Sequence, residues 1–350
     1  MSKEPNPFSP PASSSPDTGP AKKKSGWITV LKFLISFALL GWLFYSRYEQ
    51  FETFWHQEKN LWWLLAAQVT MVLAFMFSYI RWRQLAHAIR LELTIPQAIR
   101  LGLIGSFFNV IAFGVVGGDS LRAFYVAREK KDRIPEAILS VFLDRVIGLL
   151  VMLGFAGIAW RFNVYFLTGD VQLEEKQLAI ASICNTAGIL SICGFLGLFS
   201  FVFFPSIRSW PIFTPFERLP KIGDLVRRGM DAAALYSERK RVIGTAIFLS
   251  ICTNLLFAAT IWLVSNAVST QHPSFLEHGV ISPICMVANS IPLPGGVGGM
   301  EVALSTMYES YQATGGLIVA LCFRICILLV SLLGWFVWLR YASEVPTENQ

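Results

Sequence analysis

The sequence predicts an all-α polytopic membrane protein. It should have six full transmembrane helices plus two oppositely oriented re-entrant helical hairpins, arranged as an inverted repeat. Three observations carry this prediction. Of the 350 residues, 54% are apolar and 15% charged, against about 25% charged in an average soluble domain. The apolar residues fall in runs of span length, with Trp27, Trp62, Trp63, Trp160 and Trp338 near their ends, as an interfacial aromatic belt requires. Two further apolar runs are broken at corresponding places in the chain, in "FNVIAFGVVGGDSLRA" and "NSIPLPGGVGGMEVAL".

Taken in order, residues 1–26 are rich in Pro and Ser without apolar period, which predicts a disordered tail. Lys22–Lys24 then precede the run 27–45. The pair resembles the basic and apolar regions of a signal peptide. The run is about span length, however, and no small-residue cleavage site follows, so an uncleaved first span is expected. A span needs roughly 20 mostly apolar residues. The runs 61–80, 138–160, 179–204, 242–264 and 316–339 also meet that length.

The interrupted runs, 98–117 and 279–300, are settled by the positive-inside rule. If neither crosses, the inner segments are the N-terminal tail, 81–137, 205–241 and the C-terminal tail, and they hold 22 of the 29 Lys and Arg. The outer segments then hold only Arg47, Lys59, Arg161 and Lys176. If 98–117 crossed, the cluster Arg122, Arg128, Lys130, Lys131 and Arg133 would move outside. Both runs are therefore expected as hairpins, the first entering from the cytoplasm and the second from the opposite face. Both termini are then cytoplasmic, as in a multi-pass protein of a bacterial-type inner (plasma) membrane.

The domain organisation follows: a tail at 1–26, a membrane domain at 27–341 with halves 27–160 and 179–341, and a C-terminal tail at 342–350. Each half reads span, span, hairpin, span. Three crossings per half make the second half inverted relative to the first, and paired broken segments point to an inverted-repeat transporter. Local residues agree. Asn109, Gly117-Gly118 and Asp119 stand in hairpin one, and Asn289, Gly298-Gly299 and Glu301 in hairpin two. Arg145 follows the first acid and Arg324 the second at similar separations.

These residues are the candidate site. Glycines at a helix start let backbone amides face an anion; they also permit tight hairpins without any ligand. After Gly117 and Gly118, Asp119 or Ser120 is expected to cap a helix, with Arg122 one turn in. Asp144 and Arg145 are neighbours and point about 100° apart on a helix, so each needs a partner elsewhere. Arg122 or another cation is expected for Asp144, and a head-group anion or a structural ion pair for Arg145. A charge at a helix centre costs on the order of 2.5–3.5 kcal/mol. Arg324, deep in "LCFRICILLV", is expected to meet Glu301 or a ligand phosphate. Lys32 is expected to snorkel.

Other classes are disfavoured. The net charge of +6 sits in short loops, not on a soluble basic face, which argues against nucleic acid. The six cysteines lie in apolar runs without a CxxC pair, and the four histidines show no HExxH spacing. No metal or other cofactor is therefore expected. No GxxxxGK[ST] motif supplies an internal ATP drive.

The combination "GGDSLRAFYVAREK", "FLDRVIGLL" and "IPLPGGVGGMEVAL" resembles the lysylphosphatidylglycerol synthase transmembrane (flippase-like) family, from about residue 30 to 340. The matching positions are Gly117, Gly118, Asp119 and Arg122; Asp144 and Arg145; and Pro294, Gly295, Gly296, Gly298 and Glu301. The resemblance implies the translocase-like membrane part. Because the chain stops ten residues after Arg340, it is expected to lack the soluble aminoacyl-transfer domain of the full synthases. The expected function is translocation of an anionic phospholipid or a polyprenyl-phosphate-linked lipid. Membrane lipids are the expected partners; a separate lipid-modifying enzyme and a second copy of the chain are allowed for. Asn289 and Arg324 complete the expected substrate site, with no catalytic residue assigned. The alternatives are a membrane transferase acting on a lipid phosphate, with Asp119 and Glu301 as bases or Mg²⁺ ligands, and a scaffold for a separate enzyme docking on loop 205–241.

Overall fold

The computed structural model describes residues 60–111, 115–129, 133–165, 175–204, 227, 230, 234–269, 271–290 and 298–344. The expected span 27–45, the N-terminal tail, residues 345–350 of the C-terminal tail and most of the loop 205–241 lie outside the described residues. Among those described there is no strand. The principal helices are α1 (Leu61–Ala88), α2 (Ile95–Ile111), α3 (Val115–Glu129), α4 (Ile134–Asn163), α5 (Glu175–Phe203), α6 (Lys240–Val268), α7 (Phe275–Asn289), α8 (Gly299–Ser310) and α9 (Gly316–Glu344).

Five of them, α1, α4, α5, α6 and α9, are long and apolar enough to cross a membrane. The chain is an all-α, multi-pass membrane protein. Local chemistry sets several boundaries. Asn60 Oδ1 caps α1 by accepting the Trp62 N–H at 3.1 Å, Pro135 starts α4, and Ser274 and Glu277 form a reciprocal capping box on α7. Gly315, at φ 80°, precedes α9 in a left-handed conformation suited to glycine.

Two boundaries differ from expectation. Helix α1 runs on to Ala88, past the expected end at residue 80, because Arg81 is buried by pairing and does not end the span. Helix α3 begins at Val115, so Gly117 and Gly118 lie inside its first turn and do not precede a cap at Asp119 or Ser120. Close packing accounts for Gly118. A Cβ there would lie 1.8 Å from Gly105 O on α2.

The packing is unchanged when α1–α4 are exchanged with α6–α9. Helix α2 packs on α9 as α7 packs on α4; α3 packs on α2 and α4 as α8 packs on α7 and α9; and α1 and α6 pack on each other at the centre. That central pair is antiparallel, because Thr70 meets Thr260 at 2.8 Å while Arg81 meets Ser250 at 2.8 Å. Helix α5 lies outside this set, against α4. A Cβ built on Gly157 would lie 3.0 Å from the Gly188 Cα, and the Ser191 hydroxyl donates to Leu150 O at 2.7 Å. Such small-residue seams let membrane helices approach closely and gain dispersion contact.

Candidate functional site

Four of the described site residues form two acid–arginine clasps, one at each short helix pair. In the first, α3 carries Asp119 and α4 presents Arg145 to it. Arg145 Nε donates to Oδ2 at 2.5 Å and a terminal nitrogen to Oδ1 at 2.6 Å, a bidentate fork. In the second, α8 carries Glu301 and α9 presents Arg324. Arg324 Nε and a terminal nitrogen lie 3.0 and 2.9 Å from Oε1. Glu301 Oε2 accepts the Gly298 N–H at 2.7 Å, so this carboxylate also caps its own helix. Gly298 holds φ 109°, open in practice only to glycine.

The clasps differ in access. Glu301 is fully buried and the Arg324 side chain 12% exposed, whereas the Arg145 side chain is 43% exposed. They also differ in charge. Asp119 has a second cation, Arg122, at 3.7 Å. Arg122 is buried, donates to Gly102 O at 3.1 Å and stacks near the Tyr79 and Trp82 rings; cation–π contact offsets part of its desolvation. Its Nε has no hydrogen-bond partner.

Asp144 does not hold Arg122. Its cation is Arg81, a residue the sequence reading left at the end of a span. Arg81 Nε donates to Asp144 Oδ1 at 2.7 Å, one terminal nitrogen to Oδ2 at 3.0 Å and the other to Ser250 Oγ at 2.8 Å. The network ties α1, α4 and α6 together and lets Arg145, on the next residue, face the other way. A usable signal for Arg81 existed: Asp144 in an apolar run requires a cation, and Arg81 stands just past the preceding span.

The glycines behave unequally. The Gly118 N–H donates to Asn109 Oδ1 at 2.9 Å, so that amide faces α2 and not a ligand. Gly117 lies in the first turn of α3. Asn289 ends α7, and its buried Oδ1 has no hydrogen-bond partner among the described residues. Pro294, Gly295 and Gly296 lie outside the described residues. Among the described residues no group of three or more His, Cys, Asp or Glu is placed to hold a metal ion.

A family model described as "Lysylphosphatidylglycerol synthase TM region" matches residues 29–334. No curated protein and no solved structure matches the chain.

Proposed function

The chain belongs to the lysylphosphatidylglycerol synthase TM region family, and from that premise we propose that it moves an anionic phospholipid or a polyprenyl-phosphate-linked lipid between leaflets. Membership links the protein to lipid modification or flipping. The observation that carries the finer reading is the pair of clasps in unlike states: Asp119–Arg145 half-exposed, Glu301–Arg324 sealed. A carboxylate pairs with each of these intramembrane guanidinium groups. A lipid phosphate, though tetrahedral, also presents two oxygens to a guanidinium fork and can displace Asp119 from Arg145.

In this reading the two short helix pairs are re-entrant hairpins of an inverted repeat. The exchangeable packing and the antiparallel α1–α6 pair support it. The charge distribution supports cytoplasmic termini and a first hairpin entering from the cytoplasm of a bacterial-type inner membrane. Rocking one half against the other alternates which clasp is accessible.

The test uses protein in liposomes carrying a fluorescent phosphatidylglycerol in one leaflet. Loss of a charged hydrogen bond costs about 1.5–3 kcal/mol, so Arg145→Ala and Arg324→Ala should each slow leaflet exchange roughly tenfold to a hundredfold. Exchange at the wild-type rate in folded variants would remove the assigned site.

A further inference from the structure

The acid of the first clasp stands between two cations that are held in different ways. Arg145 comes from α4, spends its fork on Asp119 and has a side chain 43% exposed. Arg122 lies on α3 itself, three residues after the acid, with a side chain 5% exposed and a terminal nitrogen 3.7 Å from Asp119 Oδ1. That distance makes an ion pair but is too long for a hydrogen bond. Asp119 therefore has a close partner on a neighbouring helix and a second one, slightly withdrawn, on its own. Asp144 does not compete for Arg145, because Arg81 occupies both of its oxygens.

Arg122 is fixed in a slot that α2 shapes. A Cβ on Gly105 would lie 2.5 Å from Arg122 Nε, and one on Gly102 would lie 2.4 Å from the Tyr79 ring. The guanidinium carbon is 5.3 Å from the centre of that ring and 5.8 Å from the Trp82 ring, both within cation–π range. The rings are themselves tied. The Tyr79 hydroxyl meets Ser106 Oγ at 2.6 Å, and Trp82 Nε1 donates to Ser140 Oγ at 3.3 Å. The other terminal nitrogen of Arg122 donates to Gly102 O. A guanidinium enclosed by backbone and two rings is not placed to follow a head group. It is placed to hold Asp119, and the i,i+3 spacing on one helix preserves that contact wherever α4 moves.

The second clasp lacks this arrangement. Glu301 is fully buried, its Oε1 meets two Arg324 nitrogens and its Oε2 caps Gly298. Among the described residues no other Lys or Arg lies within ion-pair distance of it. Drawing Arg324 away would leave a buried carboxylate without a cation, which is strongly unfavourable.

We propose that Arg122 is a positioning residue for lipid binding, which receives the Asp119 carboxylate when a lipid phosphate takes the Arg145 fork. The proposal rests on the reading that a lipid phosphate enters this site, and it makes the first clasp the one that exchanges. With the site empty, Arg145 holds Asp119. With lipid bound, two phosphate oxygens take the fork and Asp119 closes the short gap to Arg122. Two guanidinium groups against one carboxylate leave one positive charge, which a singly charged phosphodiester balances. No carboxylate is stranded in either state.

The full chain in a neutral detergent, titrated with brominated phosphatidylglycerol and read by quenching of its tryptophan fluorescence, tests this, with brominated phosphatidylcholine as the comparison. Arg122→Gln should weaken phosphatidylglycerol binding about tenfold, within the range by which members of one ion-pair network couple. In an Asp119→Asn background the same change should weaken it less than about threefold, near the scatter of independent sites, because no carboxylate then needs a second cation. Arg122→Lys should bind close to wild type, since an ammonium at that position still reaches the acid. Arg122→Met takes the place of the glutamine variant where that one does not fold. Equal losses in the two backgrounds would mean that Arg122 meets the phosphate itself and would overturn the proposal. Wild-type affinity in Arg122→Gln, or a wild-type chain that binds the two lipids alike, would overturn it too. If leaflet exchange requires Arg145 and is indifferent to Arg122, this role falls and the transport reading stands. If the binding cycle comes out as expected in a protein that exchanges no lipid, the transport reading falls alone.

Discussion

At the scale of single residues, the charges inside the membrane region are held by geometry more than by number. Arg81 is the clearest case. Its fork satisfies both oxygens of Asp144, which is 2% exposed. Removing one partner of such a pair leaves a buried charge uncompensated, at a cost of about 3–5 kcal/mol. Arg81→Ala should lower the unfolding midpoint in detergent accordingly, and Arg81→Lys should not restore it, because an ammonium cannot reproduce the fork and the Ser250 contact together. An unchanged midpoint in Arg81→Ala would show that Asp144 is solvated. Asp119, Arg145, Glu301 and Arg324 stood out in the sequence because each is costly in an apolar run and the separations run parallel. Arg81 did not, because a first arginine after a span reads as its end. The buried contact of His278 Nε2 with the Tyr308 hydroxyl, 2.8 Å between α7 and α8, was not legible either, because its members come from two helices.

At the scale of elements, apolar run length anticipated the five long helices, four of them closely and α1 short of its end at Ala88, because a helix that must bridge a bilayer leaves little freedom in its length. The first expected span lies outside the described residues. Short helices were less legible. Glycines read as helix openers, yet Gly118 serves the crossing of α2 and α3, where the limit is the Gly105 carbonyl. The same physics governs the α4–α5 seam. Gly157→Leu should push α5 off α4, since a Cβ built on Gly157 already lies 3.0 Å from the Gly188 Cα and 3.2 Å from the Cys184 carbonyl oxygen. Limited proteolysis should then cut nearer α5 and the unfolding midpoint should fall by about 1–3 kcal/mol equivalent, the usual cost of overpacking. A seam that tolerates leucine would mean α4 and α5 are held apart in the native protein. Glycines Gly197 and Gly244 meet nothing within 4 Å and serve as controls.

At the scale of the whole molecule, the antiparallel α1–α6 pair is the axis on which everything else hangs. The Thr70 and Thr260 hydroxyls lie 2.8 Å apart, so Thr70→Cys with Thr260→Cys, in a background without the native cysteines, should form an intramolecular disulfide on mild oxidation. Mass spectrometry of the linked peptides reads it out, and a purely intermolecular link would reject the antiparallel arrangement. The exchange of halves was legible only as a repeated order of segments. Which long helix grips which short pair was not, because that depends on contacts far apart in the chain. The gripping has a mechanical consequence. Helix α4 supplies Arg145 to the α2–α3 pair while its flank supports α7, and α9 supplies Arg324 to the α7–α8 pair while supporting α2. Each long helix is thus a lever with a load at either end. Tilting it to loosen one clasp must displace the seat of the other, and by the reciprocity of coupled equilibria the influence is equal in both directions. Two clasps linked in that way do not need a separate interlock to keep them from loosening together.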